Sequence, residues 1–217
     1  MPELMEKIIE NLNNEIYSLY SCSLVSRHWC EMSIPILWQD PFSYNKNAKF
    51  ISSYLSTLNK DEKLILKGRG IDINLPNPIF YYARFLRILS LTLLDSKVMQ
   101  WIDNIQHINQ KKNGIALKEQ IINLLFEQFI KSGATLHGLY LCGNVNLTKD
   151  AGVKLTIEKS IISTLESQKK ALKEILIIHY TDYYVFTALN NFEKLDTIQV
   201  GSRSTIDALH MIKTLKA

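Results

Sequence analysis

The spacing of apolar positions changes along the chain. In the opening segment Leu4, Met5, Ile8, Ile9 and Leu12 recur every three or four residues and form one stripe of a helix. Pro2 suits the first position of that helix, where its missing N–H costs nothing, and Glu3 and Glu6 suit the positive end of the helix dipole. Asn11, Asn13 and Asn14 break the segment. Residues 15–24 predict a second helix with Ile16, Leu19, Tyr20 and Ser23 along one face. Residues 25–32 predict a short third helix, with Pro35 marking its end.

The middle of the chain is mixed. Pro41 to Tyr44 is a turn or an extended linker. Phe50, Ile51, Tyr54, Leu55 and Leu58 predict an amphipathic helix over 48–58. Residues 61–66 are a short helix or a first strand, since period does not decide at this length. Gly68-Arg69-Gly70 ends that element; with no Lys-Ser/Thr behind it, the Gly-x-Gly is a turn and not a phosphate loop. Pro76 and Pro78 mark an extended connection, 78–86 predicts a helix with an aromatic face, and 104–114 is a polar loop or insertion.

From Leu86 the apolar period shortens to two and a motif recurs. Leu86-x-x-Leu89-x-Leu91 is followed by Leu136-x-x-Leu139-x-Leu141-x-x-Asn144, Leu172-x-x-Ile175-x-Ile177 and Leu195-x-x-Ile198-x-Val200. Helical patterns intervene at 96–102, 118–131, 157–169, 182–190 and 205–215. Each unit is expected to place a short strand against a core that its helix covers, with neighbouring units stacked. Asn144 would bond backbone groups in the turn after its strand. The second instance matches the leucine-rich repeat consensus in full. The intervals are uneven, about 50, 36 and 23 residues, against the roughly 20–29 of a regular repeat. An ordinary α/β domain whose buried strands happen to repeat is the alternative. Few repeats and no polar terminal cap point to a short family member or a fragment.

Composition narrows the class. The 217 residues are 47% hydrophobic and 21% charged, which fits a folded domain or a small module with a larger one. The net charge of +4 is spread, and Lys111-Lys112 and Lys169-Lys170 are only pairs, so no nucleic-acid partner is expected. No apolar run reaches the length of about 20 that spans a bilayer, and no signal pattern opens the chain, so no membrane partner is expected. Cys22, Cys30 and Cys142 make an odd set without paired spacing; a reducing cytoplasmic or nuclear location is expected. Cys22, His28 and Cys30 do not have zinc spacing and lack a fourth ligand. His107, His137, His179 and His210 stand apart from any nucleophile, and no hydrolase or metalloprotease motif is present. No catalysis, cofactor or metal is expected.

Two aromatic clusters, Leu24-Val25-Ser26-Arg27-His28-Trp29 and Pro35-Ile36-Leu37-Trp38, close the opening segment. With Pro2-Glu3-Leu4 and the stripe behind it, they resemble the F-box, the helical module that plugs a protein into a Skp-type adaptor of a cullin-RING ubiquitin ligase. The resemblance covers roughly the first fifth of the chain. It departs from the motif in a shortened Met1-Pro2-Glu3-Leu4 opening, which leaves a start upstream open, and in Ser26 where Cys or Lys is usual. It implies an adaptor-facing set of Pro2, Leu4, Ile8, Ile9, Leu12, Leu19, Cys22, Val25 and Trp29, with Trp38 anchoring the module to the rest of the chain. Arg27 either contacts the adaptor or packs its stem over Trp29 and caps a helix end.

The whole is expected to be an α/β chain. A three-helix F-box occupies 1–42, a helical connector 43–85, and a short, irregular leucine-rich-repeat-like α/β solenoid with a parallel sheet 86–217. This resembles the irregular repeats downstream of F-boxes in large fungal families. It implies a substrate receptor of an SCF-type ligase that holds an unknown protein target on its repeat region, with concave strand residues such as Tyr140 as the first candidates. The alternative is a repeat scaffold that binds a protein without ligase association.

Overall fold

Helical spacing gives way to strand spacing at Leu86, and the chain changes architecture there. The computed structural model describes residues 2–12, 15–44, 47–72, 78–105, 114–142, 151–178, 192 and 195–201. Three helices come first: α1 (Pro2–Asn11), α2 (Ile16–Ser23) and α3 (Arg27–Leu37). The third begins later and runs further than its pattern predicts, with Pro35 inside it. The missing Pro35 N–H falls on the carbonyl of Glu31, an exposed residue, and the helix closes at Trp38, whose N–H donates to the Ile34 carbonyl at 3.0 Å.

Four short elements lead to the sheet. Pro41–Tyr44 is a helical turn, α4, and Phe50–Leu55 forms α5, shorter at both ends than its apolar pattern. Residues 61–66 are helical, within α6 (Lys60–Gly68). A capping box decides this: the Asn59 side chain accepts from the Glu62 N–H at 2.8 Å, and the Glu62 carboxylate accepts from the Asn59 N–H at 2.9 Å. Gly70 (φ +85°) then turns the chain in the left-handed region. The aromatic stretch 78–86 is not a full helix. Only Tyr82–Phe85 forms a single 3₁₀ turn, because Leu86 must already be extended to enter the sheet.

The rest is a parallel α/β unit. Strands β1 (Ile88–Ser90), β2 (Gly138–Cys142), β3 (Glu174–Ile178) and β4 (Thr197–Gly201) lie in the order β1-β2-β3-β4, every pair parallel. Helices α7 (Leu91–Ile105), α8 (Gly114–Lys131) and α9 (Ala151–Ser167) connect the first three strands. Leu91 starts a helix instead of ending a strand, yet stays buried. Asn144 and the expected helices at 182–190 and 205–215 lie outside the described residues.

The four motifs superpose in register. Leu89, Leu139, Ile175 and Ile198 stand side by side, as do Leu141, Ile177 and Val200. Leu86, Leu136 and Leu172 are fully buried just ahead of their strands, and Leu195 packs against the same core. That core is continuous from Phe42 through α5, α7, α8 and α9 to Ile177. The connector and the sheet with its helices therefore share one interior. The alternate strand residues Ile88, Tyr140, Cys142, Leu176 and Ile178 face the other side and are half-buried, so one face of the sheet is left open among the described residues.

A backbone ladder repeats with the motif. The carbonyl of Arg87 accepts from the N–H groups of His137 and Gly138, that of His137 from Lys173 and Glu174, and that of Lys173 from Asp196 and Thr197, all at 2.7–3.1 Å. Ahead of these, the Gln39 carbonyl accepts from Arg87 and Ile88 at 2.9 and 3.0 Å. The end of the helical module thus occupies the place that a preceding strand would take.

Gln168, just past α9, ties this helix to the segment before β2. Its Oε1 accepts from the Leu136 N–H at 2.8 Å and its Nε2 donates to the Ala134 carbonyl at 2.9 Å, both buried. Gln168→Leu leaves both backbone groups unpaired, at about 1–3 kcal/mol each. The urea unfolding midpoint is expected to fall accordingly, while Glu166→Gln, an exposed neighbour, leaves it unchanged.

Candidate partner-binding site

The three opening helices divide their apolar residues between an interior and an outer face. Ile9 and Leu19 are buried and hold the helices together. Leu12, Cys22 and Trp29 are half-buried. Leu4 (62% exposed), Ile8 (42%) and Val25 (67%) face solvent. Pro2 is the first residue of α1. Of the nine residues singled out from the sequence, Ile9 and Leu19 have their side chains inside the module, where no partner reaches them. Leu4, Ile8 and Val25 are open to one.

The outer face also contains residues outside that set of nine. Tyr17, Tyr20 and Leu24 are all at least 60% exposed and recur at i, i+3 and i+7 along α2 and the turn behind it. Tyr20, expected on the inward face with Leu19, points out. The i, i+3, i+7 spacing was the available signal. It was masked because Ile16, Leu19 and Ser23 form an equally good stripe one residue round the helix.

Ser26 has a definite local role. Its hydroxyl accepts from the Trp29 N–H at 3.3 Å and caps α3, which sets the direction in which Trp29 leaves the turn. Arg27 does not cover Trp29 and caps nothing. Its side chain is 92% exposed and pairs with Glu31 one turn along, at 3.0 Å. A solvent-exposed pair of this kind contributes little to stability.

Trp38 seats the module on the rest of the chain. Its ring stacks on Tyr82 (centroids 4.0 Å apart, 25° between planes) and meets Tyr54 and Phe50 edge-on at 5.2 and 6.3 Å. Below it Phe42, Tyr54 and Phe129 continue the aromatic packing into the core. Asp40 is buried at this junction and caps α4 by accepting from the Ser43 N–H at 3.3 Å. Burial raises its carboxyl above the ordinary value, with the Ser43 bonds opposing. The Tyr54 hydroxyl is buried without a hydrogen-bond partner among the described residues, and burial and the nearby Asp40 both push it up.

A 470 Å³ hollow lies against α3, lined by Ser23, Ser26, Arg27, Cys30, Glu31, Ile79 and Phe80. Among the described residues no group of three or more His, Cys, Asp or Glu side chains is placed to hold a metal, and no helix is long and apolar enough to cross a membrane.

A family model described as F-box-like matches residues 2–44, which spans α1 to α4 and ends at the aromatic seat. The chain therefore carries an F-box-like domain at its start, joined to a helix-covered parallel sheet. No curated protein and no solved structure matches the chain.

Trp38→Ala is expected to cost about 3–5 kcal/mol in chemical unfolding, as for other large aromatics removed from a packed site. Asp40→Asn tests the buried carboxyl. A carboxyl raised in the folded state favours folding at low pH, and that contribution is lost as pH rises through its folded value. Relative to Asp40→Asn, the wild-type chain is expected to lose stability from acid to neutral pH, read from unfolding midpoints across that range.

Proposed function

We propose that the chain is a substrate-receptor subunit of an SCF-type cullin-RING ubiquitin ligase. Its F-box-like helices would bind a Skp-type adaptor, and its strand-and-helix region a protein target. The observation that carries this reading is the F-box-like match over 2–44 together with the apolar face those helices leave exposed. Leu4, Ile8, Tyr17, Tyr20, Leu24 and Val25 are the large apolar side chains this module leaves to solvent, and they are the ones a partner would cover. The half-buried Trp29 would extend this contact surface.

The sheet region reads as an irregular leucine-rich-repeat array of the kind found in fungal F-box proteins. Its support is the four superposed Leu-x-x-Leu/Ile-x-apolar motifs, one parallel strand each, added in chain order. Mechanism in this reading is proximity. The box fixes the chain to the adaptor, and the repeat region keeps a target near the charged conjugating enzyme, raising the effective concentration of target lysines. The chain itself makes and breaks no covalent bond and uses no cofactor. It works in the cytoplasm or nucleus, where the ligase and its targets are. The ladder bond at Gln39 and the stacking at Trp38 support this reading, because a rigid joint holds the target at a fixed distance from the adaptor.

The test is co-purification of the full chain with a Skp-type adaptor, beside Ile8→Asp and Val25→Asp. Both side chains are exposed, so both variants are expected to keep the wild-type circular dichroism spectrum. Each is expected to weaken adaptor binding by roughly thirtyfold or more, the equivalent of about 2 kcal/mol at a desolvated hot spot. A folded wild-type chain that retains no adaptor would leave the chain as a protein-binding scaffold outside the ligase.

A further inference from the structure

The 470 Å³ hollow beside α3 has two walls of different origin. One belongs to the helical module. Ser26, Arg27, Cys30 and Glu31 lie at i, i+1, i+4 and i+5 and share one face of α3, and Ser23 at the end of α2 closes the corner. The other wall, Ile79 and Phe80, comes from the connector, well beyond residue 44 where the F-box-like match stops. Trp38 brings the two together. It closes α3, and its ring stacks on Tyr82; the Phe80 ring lies 6.0 Å from that of Tyr82, so the residues ahead of the 3₁₀ turn are set alongside α3. The connector thus gives the module a wall that the module's own residues do not supply.

The lining decides what fits. The Ser23 hydroxyl donates to the Tyr20 carbonyl at 2.7 Å, and the Ser26 hydroxyl accepts from the Trp29 N–H at 3.3 Å. Arg27 and Glu31 offset each other's charge at 3.0 Å, and the Arg27 side chain is 92% exposed, at the mouth. Polar groups already paired in this way offer an ion little, whereas Cys30, Ile79 and Phe80 offer apolar surface. Ile79 is 88% exposed, more than any other large apolar side chain among the described residues. The volume lies within the roughly 300–1,000 Å³ of sites that enclose a drug-sized group, so the hollow is large enough for apolar side chains of a partner.

The neighbours of the hollow decide which partner. Ser23 and Ser26 bracket Leu24 and Val25, which are 70% and 67% exposed and lie on the outer apolar face of the module. A partner seated on Leu24 and Val25 therefore meets the hollow one residue away on either side. We propose that the adaptor that covers Leu24 and Val25 also fills this hollow with an uncharged, apolar segment, so that its contact surface takes in Ile79 and Phe80 of the connector. The inference rests on the adaptor reading and extends that contact beyond residues 2–44. Phe80 and Tyr82 belong to the aromatic packing around Trp38, so an occupant of the hollow touches the joint to the sheet as well as the module.

The test uses the full chain and a purified Skp-type adaptor. Ile79→Asp is expected to weaken adaptor binding at least tenfold in a calorimetric titration, while Ile65→Asp, the same change at an exposed site on α6, leaves it within twofold. Both side chains are exposed, so both variants are expected to keep the wild-type circular dichroism spectrum. Cys30 supplies a readout inside the hollow. Saturating adaptor is expected to slow its alkylation by iodoacetamide at least tenfold, followed by peptide mapping, and to leave Cys142, on the open face of the sheet, within twofold. Equal losses from Ile79→Asp and Ile65→Asp, or a Cys30 rate that is the same with and without adaptor, would each overturn the proposal. So would a Cys30 rate that falls as the chain alone is concentrated, which gives the hollow to a second copy. Binding lost in Ile8→Asp but kept in Ile79→Asp overturns this inference and leaves the ligase reading standing. A folded wild-type chain that retains no adaptor overturns the ligase reading, and this occupant with it.

Discussion

The carbonyl of Gln39 accepts two backbone hydrogen bonds from the first residues of the sheet, and the rest of the architecture depends on that joint. A parallel sheet exposes unpaired N–H groups along its first strand, and such an edge needs something to cover it. Here the end of the helical module does so, using the same bond pattern that each later strand uses on its neighbour. Trp38, one residue earlier, stacks on Tyr82 and locks the joint from the side. A short three-helix unit buries little apolar surface by itself, so fusion to a larger core through an aromatic seat is also what makes it stable.

That fusion separates the tasks of the two halves. Of their described apolar residues the helices keep Ile9 and Leu19 fully inside and leave Leu4, Ile8, Tyr17, Tyr20, Leu24 and Val25 outside. The sheet does the opposite on its helical face, where Leu89, Leu139, Leu141, Ile175 and Ile177 are sealed under α7, α8 and α9. Among the described residues its other face stays open, with Arg87, His137 and Lys173 at its N-terminal rim. The two exposed surfaces differ in chemistry, one apolar and aromatic, the other a sheet face on which the Tyr140 hydroxyl meets the Glu174 carboxylate between Ile88 and Leu176. They are joined through the Gln39 hydrogen bonds and the Trp38–Tyr82 stack.

Strand and helix assignments were legible wherever the apolar period was long. The Leu136 to Leu141 motif gave β2, and residues 118–131 gave most of α8. Short segments were not. Residues 61–66 were ambiguous by period, although Asn59-x-x-Glu62 already spelled a capping box. The aromatic run 78–86 read as a helix because spacing is all that a sequence shows, whereas Tyr82 is recruited by Trp38 and Leu86 by the sheet. Pro35 read as a terminator because its cost inside a helix is normally high, and nothing local announced that the helix would close two residues later.

By itself, the sequence determined the order of the parts: a helical box with a dense aromatic end, then short strands separated by helical segments. These are local properties, set by apolar period and by residue type at each position. The tertiary structure alone decided which apolar residues of the box are spent on its own packing, because Ile9 and Ile8 are equivalent by period and differ only in what lies across from them. It alone decided that Gln39 would stand in for a strand. And it alone drew Arg87, His137 and Lys173 into one row, since strand register fixes neighbours that chain distance hides.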